Sequence, residues 1–346
     1  MARSSLVQLT LVRFKEFLRE PDAVFWTFGF PILLAIGLGI AFRNRPAETV
    51  KVGVVQPDAR ADTAAAALAR ASGLAVLRLP ADSAAAALRT GRIALVVAPG
   101  AGNAYEYRFD DTRPESRTAR ILVDDALQRA AGRADPVPVR ESKVREKGSR
   151  YIDFVIPGLL GMNIMGGGIW GLGFTIVDAR RRHLLKRLSA TPMSRSEYLL
   201  SFMLSRLLFL VVELVVVLGF AVLVFGVPVR GSLVQLAVVA LVASLTFGGL
   251  GLLIASRART LESASGLMNL VMLPMWVLSG IFFSASNFPD AAQPFIQALP
   301  LTAVIDGLRL TMLQGAGWGL VLPEIAIAAA WAVATFGVAL KLFRWR

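Results

Sequence analysis

The chain has no cysteine and a single histidine, His183, in 346 residues. The first absence excludes disulfides, thiolate metal sites and cysteine nucleophiles together. The second leaves almost no material for a multi-histidine metal centre or a histidine relay. Charge is scarce as well: Asp, Glu, Lys and Arg make up 18% of residues, against about 25% in soluble domains. No G-x-x-x-x-G-K-[ST] run occurs, and Gly166-Gly167-Gly168 falls inside an uncharged stretch where a phosphate has no counter-charge. The composition argues against an ordinary soluble enzyme, and the chain is too apolar to be disordered.

What fills the chain instead is long apolar blocks, with 55% of residues in the apolar set. Residues 24–42 carry no charge; as a helix they reach about 28 Å, close to the roughly 30 Å hydrocarbon core. Further blocks at 154–177, 199–225, 233–255, 263–283 and 320–340 bring the expected transmembrane helices to six. The first block lacks a clean small-residue cleavage site after it and reads as an uncleaved span rather than a secretory signal. Before it, residues 1–22 contain an amphipathic stretch, Leu6–Leu18, which mixes a greasy stripe with basic residues and predicts an interfacial helix. Glu20-Pro21 breaks it. Both a plain anchor and a moving element that transmits force fit this segment.

Residues 43–150 are polar but patterned as a small α/β domain. Val50–Val55, Ile93–Val97 and Tyr105–Phe109 predict short strands. Thr63–Ala71, Ser83–Leu88 and about Glu115–Ala131 predict helices. Residues 151–346 then form the main transmembrane domain, with a loop at 178–198 and an outer re-entrant segment at 284–319 bounded by Pro300 and Gly315.

The net charge is +13, from 37 Lys and Arg against 24 Asp and Glu. Its placement decides its meaning. Arg3, Arg13, Lys15 and Arg19 precede the first span; Arg180, Arg181, Arg182, Lys186, Arg187 and Arg195 follow the second. Arg257, Arg259, Lys341, Arg344 and Arg346 fall on the same side, against Arg230 and Arg309 on the other. The positive-inside rule then puts both termini in the cytoplasm and exports the α/β domain. The basic excess serves topology and anionic lipid rather than nucleic acid.

Few polar groups interrupt the spans. Glu213, in LVVELVVVL, costs roughly 2.5–3.5 kcal/mol at a helix centre on insertion scales and is expected to face protein or water. It fits either a cation or proton path or a partner on another helix. Arg206, seven positions earlier, is expected to snorkel to the cytoplasmic interface. Asn163 and Asn269 fit cargo contact or interhelical hydrogen bonds, and the Gly167-x-x-x-Gly171 pair fits a two-subunit seam or packing within one subunit. Asp306 and Arg309 stand three apart and are expected to pair.

The loop DARRRHLLKRLSATPMSRSEYLL predicts a short basic helix with Leu184, Leu185 and Leu188 on one side, stopped at Thr191-Pro192. A new helix is expected near Ser194, which has Glu197 in capping-box spacing. A solvated positive-inside loop is the plain alternative. HLLKRLSATPMSRSEYLL resembles the cytoplasmic loop of the type-2 ABC transporter permeases. LPMWVLSGIFF with NFP resembles that family's fifth span and exit, and LPLTAVIDGLRLTMLQG its re-entrant outer segment. VKVGVVQPD and GRIALVVAP are similar to the subgroup with a large extracytoplasmic domain after the first span. The sequence departs from the family at His183-Leu184, where members often have Gly-Thr.

The resemblance implies the permease subunit of an ATP-driven exporter, with no ATPase site or cofactor of its own. ATP and Mg would be held by a separate nucleotide-binding subunit. That subunit would grip a coupling helix at Leu184, Leu185, Lys186, Arg187, Leu188, Thr191 and Pro192. A second permease subunit, as homodimer or heterodimer, would complete the path for a drug, lipid or polysaccharide. Two other classes stay open: an ion-coupled secondary transporter using Glu213, and a membrane-anchored sensor or scaffold that displays the outer domain. The first lacks a detectable inverted repeat, and the second needs fewer spans.

Overall fold

The computed structural model describes residues 5–43, 49–56, 59–100, 102, 104–134, 137, 148–181, 195–258 and 260–342. In chain order, helix α1 (Ser5–Arg19) and α2 (Pro21–Phe42) precede an α/β unit. That unit holds β1 (Val50–Gln56), α3 (Ala59–Arg70), β2 (Leu74–Pro80), α4 (Ala81–Arg89), β3 (Leu95–Pro99), β4 (Tyr105–Phe109) and α5 (Pro114–Ala130). There follow α6 (Tyr151–Arg181), α7 (Arg195–Phe225), α8 (Leu233–Arg257) and α9 (Leu261–Leu278). A short α10 (Gln293–Gln297), α11 (Pro300–Arg309) and α12 (Trp318–Leu342) complete the order. Two compact units result, Asn44–Lys143 and the remainder.

In the α/β unit the sheet order is β2-β1-β3-β4, with β1 parallel to both β2 and β3, and β4 antiparallel to β3. Alanines let the helices lie close on the sheet: α3 buries Ala61, Ala64, Ala65 and Leu68, a one-face helical spacing. On the other face α4 buries Ala84 and Ala87 against Ile93 and Val96. The strand β2 was not expected from the sequence. It is an edge strand carrying Arg78 and Pro80, which dilute the apolar signal and are tolerated only at an edge.

Tyr107 on β4 donates its hydroxyl to Asp124 Oδ1 at 3.4 Å. Burial first, and the Asp124 carboxylate second, push its pKa up to about 12 from the ordinary 10. The folded value lies above the unfolded one, so this stabilisation is intact below pH 10 and disappears as pH rises through about 12. Absorbance titration of the phenolates should show one late step near pH 12, absent in Tyr107→Phe. A Tyr107→Phe profile that keeps the late step would assign it elsewhere.

Among the described residues of the other unit, six helices are long and apolar enough to cross a membrane: α2, α6, α7, α8, α9 and α12. They are not equivalent. The apolar windows of α6 and α8 are 72% and 67% buried, whereas those of the other four are 17–22% buried. The pair α6 and α8 is therefore the core against which the others lean. Glycine permits the contact: a Cβ on Gly168 would stand 2.6 Å from Phe247 Cβ, and one on Gly251 2.6 Å from Gly168 O. Without a hydrophobic drive between helices in lipid, such backbone approach and interhelical hydrogen bonds hold the bundle. Thr246 supplies one such bond, from α8 to Ala328 O of α12 at 2.7 Å.

The segment between α9 and α12 folds as two helical pieces, Asp290–Gln297 and Pro300–Gln314, bent by 85°. The second piece ends in a π-helical turn, Leu310–Gln314, stopped by left-handed Gly315 (φ 61°). Its Leu301 and Ile305 pack at Gly161 of α6, and Trp331 Nε1 of α12 donates to Ala298 O at 2.8 Å. At the start of α6, Asp153 is fully buried and accepts from Gly148 N, Arg150 N, Arg150 Nε and Arg150 Nη2 at 2.7–3.1 Å.

Candidate functional site

Two polar side chains inside the bundle reach carbonyls at or beside π-helical stretches. In α2 the stretch Phe25–Gly29 is π-helical, and Pro31 has no N–H to give to the carbonyl four residues earlier. That carbonyl, Thr27 O, accepts from Asn163 Nδ2 of α6 at 2.8 Å. Asn163 is thus a partner of the first span, one of the two roles the sequence left open.

One turn further along α6 lies a second π-helical stretch, Gly167–Leu172. Here Arg206 of α7 is buried, with Nη1 3.1 Å from Glu213 Oε2 and Nη2 donating to Ile164 O at 3.1 Å. Glu213 has no exposed surface. The expectation that Arg206 snorkels is corrected: the seven-residue spacing brings it to Glu213, and a guanidinium can fork between a carboxylate and a carbonyl. Gly167 makes room for it, since a Cβ there would stand 2.6 Å from the guanidinium carbon. Gly171, by contrast, is exposed with open space around it.

Two more arginines tie helices together. Arg180, near the end of α6, donates to Ala255 O and Ala258 O at 2.9 and 3.2 Å and so caps the end of α8. From the sequence its role is topological alone; a carbonyl-rich helix end 75 residues away leaves no local signature. Arg309 lies over the Phe154 ring, 3.7 Å from its centroid, and donates to Gly280 O at 2.5 Å. Its expected pairing with Asp306 is present at 3.7 Å.

Asn269 sits on an exposed face of α9 beside Leu270 and Leu273, while the opposite face buries Ala264, Met268, Met272 and Met275. The coupling-helix residues Leu184, Leu185, Lys186, Arg187, Leu188, Thr191 and Pro192 lie outside the described residues. The described structure brackets them, with α6 running to Arg181 and α7 starting at Arg195. Among the described residues no group of His, Cys, Asp and Glu is placed to hold a metal ion.

Six apolar helices among the described residues, four of them leaning on a close-packed α6–α8 pair and tied by polar side chains, define a polytopic membrane protein. Residues 22–341 match the family described as ABC-2 family transporter protein, and the chain belongs to that family. It is 28% identical over 174 residues to the linearmycin resistance permease protein LnrN of Bacillus subtilis, covering 50% of this chain and 45% of that one. It is 26% identical over 165 residues to the probable multidrug ABC transporter permease YbhS of Escherichia coli, covering 47% and 43%. With ABC transporter G family member 20 of Dictyostelium discoideum it shares 29% identity over 171 residues, 49% of this chain and 23% of the relative. The matches thus span less than half the length of these relatives.

Proposed function

We propose that this chain is the transmembrane subunit of an ATP-driven exporter in the inner membrane, powered by a separate ATPase subunit that holds ATP and Mg. The match to the transporter family over residues 22–341 carries this reading. Both termini face the cytoplasm, where the ATPase grips the loop 178–198 through Leu184, Leu185, Lys186, Arg187, Leu188, Thr191 and Pro192. The α/β unit lies on the outer side. The subgroup with a large domain after the first span, the interfacial role of α1 and the re-entrant role of the bent pair belong to the same reading.

Two permease subunits, alike or different, complete the path. Of the five positions first considered for path or seam, Asn163, Gly167 and Glu213 make contacts within the chain. We assign the seam to Gly171 and Asn269, whose surroundings are open. An amphiphilic or polymeric cargo fits exposed helix faces of this kind, and two relatives are named for linearmycin resistance and for multidrug transport. Glu213, paired and buried, is given no part in an ion path.

The purified chain should hydrolyse no ATP alone and gain hydrolysis with its partner subunit. Leu185→Asp combined with Lys186→Glu and Arg187→Glu should abolish co-purification of that partner. Normal binding by the triple variant would refute the docking assignment.

A further inference from the structure

We propose that Arg206 is a positioning residue which fastens the third span to the second across a soft turn, so that α6 and α7 move as one body. The inference deepens the exporter reading, because these are the two helices that flank the gripped loop.

The soft turn is Gly167–Leu172 of α6. It is π-helical and glycine-rich, and both features mark places where a helix bends. A push on the cytoplasmic end of α6 would therefore be absorbed at this turn before reaching residues 151–166. The third span offers a way around it. On the cytoplasmic side α7 joins α6 through residues 182–194 of the chain itself. Beyond the turn, Arg206 Nη2 holds Ile164 O at 3.1 Å. Of these two links Arg206 is the one made among the described residues, and it reaches the part of α6 before the turn.

The attachment is built from several independent parts. Glu213, on the same helix as Arg206, takes Nη1 and so fixes the direction of the guanidinium. Gly167 leaves the space through which the guanidinium lies against α6. Apolar packing on α7 lies elsewhere: Leu210, Val217 and Ala221 are buried in the core, and Phe209 packs on Phe14 and Phe17 of α1. Arg180 separately pins the cytoplasmic half of α6 to the end of α8.

Two adjacent glycines give a matched test. A Cβ at Gly167 would stand 2.6 Å from the Arg206 guanidinium, whereas one at Gly166 meets nothing within 4 Å. The gain in helix propensity is the same at both positions, so a difference between Gly166→Ala and Gly167→Ala reports the Arg206 contact and not the stiffening of the turn. The chain has no cysteine, so spin labels can be placed through Phe174→Cys on α6 and Leu208→Cys on α7, both exposed. Dipolar EPR on the full chain in lipid nanodiscs should give one narrow interspin distance for the parent and for Gly166→Ala. Gly167→Ala and Arg206→Gln should broaden it or add a second population. With the ATPase subunit bound, the parent distance should not change on adding ATP. Stimulated hydrolysis should be lower in Gly167→Ala than in Gly166→Ala by on the order of tenfold.

A Gly167→Ala distribution that matches Gly166→Ala overturns the proposal, and so does a parent distance that shifts with nucleotide. Should Arg206→Gln not fold, the glycine pair decides alone. The distances in the isolated chain require no partner, so the absence of any stimulating ATPase would refute the exporter reading without touching this measurement.

Discussion

Replacing Glu213 by leucine is expected to destabilise the membrane-embedded unit by about 3 kcal/mol or more. The substitution leaves the Arg206 guanidinium buried with its charge uncompensated, since Arg206 is 7% exposed and Glu213 is its ion-pair partner. Removing one member of a buried pair costs far more than the pair contributes, because the survivor keeps its desolvation penalty. The double variant Arg206→Leu/Glu213→Leu should therefore recover more than half of the loss. Full recovery is not expected, as Ile164 O then loses its side-chain donor and keeps only the backbone N–H of Gly167, which it shares with Asn163 O; a weakened bond in hydrocarbon carries its own cost. Reversible denaturation in mixed micelles would measure all three proteins. A single variant as stable as the parent would mean that Arg206 reaches water when Glu213 is gone.

Gly251→Val should be the second severe change. The Cβ it adds lies 2.6 Å from Gly168 O and 3.0 Å from Ile169 O, which are backbone atoms of the neighbouring core helix. Backbone cannot rotate aside as a side chain can, so α6 and α8 must separate along their whole contact. Overpacking of this kind costs roughly 1–3 kcal/mol and sometimes more. Gly219→Val is the control, because nothing lies within 4 Å of a Cβ there. Thermal denaturation of the two variants side by side checks the contrast. Equal melting temperatures would show that the α6–α8 contact can open without loss.

The six spans were legible because a bilayer selects length and apolarity, both of which are written in sequence. Their ends were less so. The apolar run read as 263–283 outlasts its helix, which stops at Leu278 because Gly280 turns the chain at φ 77° while Ile281–Phe283 stay apolar. Strand β2 escaped notice because an arginine and a proline sit in an edge position that tolerates them. The depth of Glu213 and Arg206 was also plain, but depth says nothing of azimuth. Whether a guanidinium at that level turns to water or to a neighbouring carbonyl depends on Gly167, 39 positions away. Asn163 shows the same limit: its partner at Thr27 is defined by Pro31, and no spacing links residues 136 apart.

That last contact constrains what the first span can do. Sliding α2 along α6 by one helical turn, about 5.4 Å, would strand an amide and a carbonyl in a medium that offers neither any substitute. Asn163 therefore acts as an index pin. Axial travel of the first helix is forbidden while that pin is seated, and pivoting about it is the motion left open.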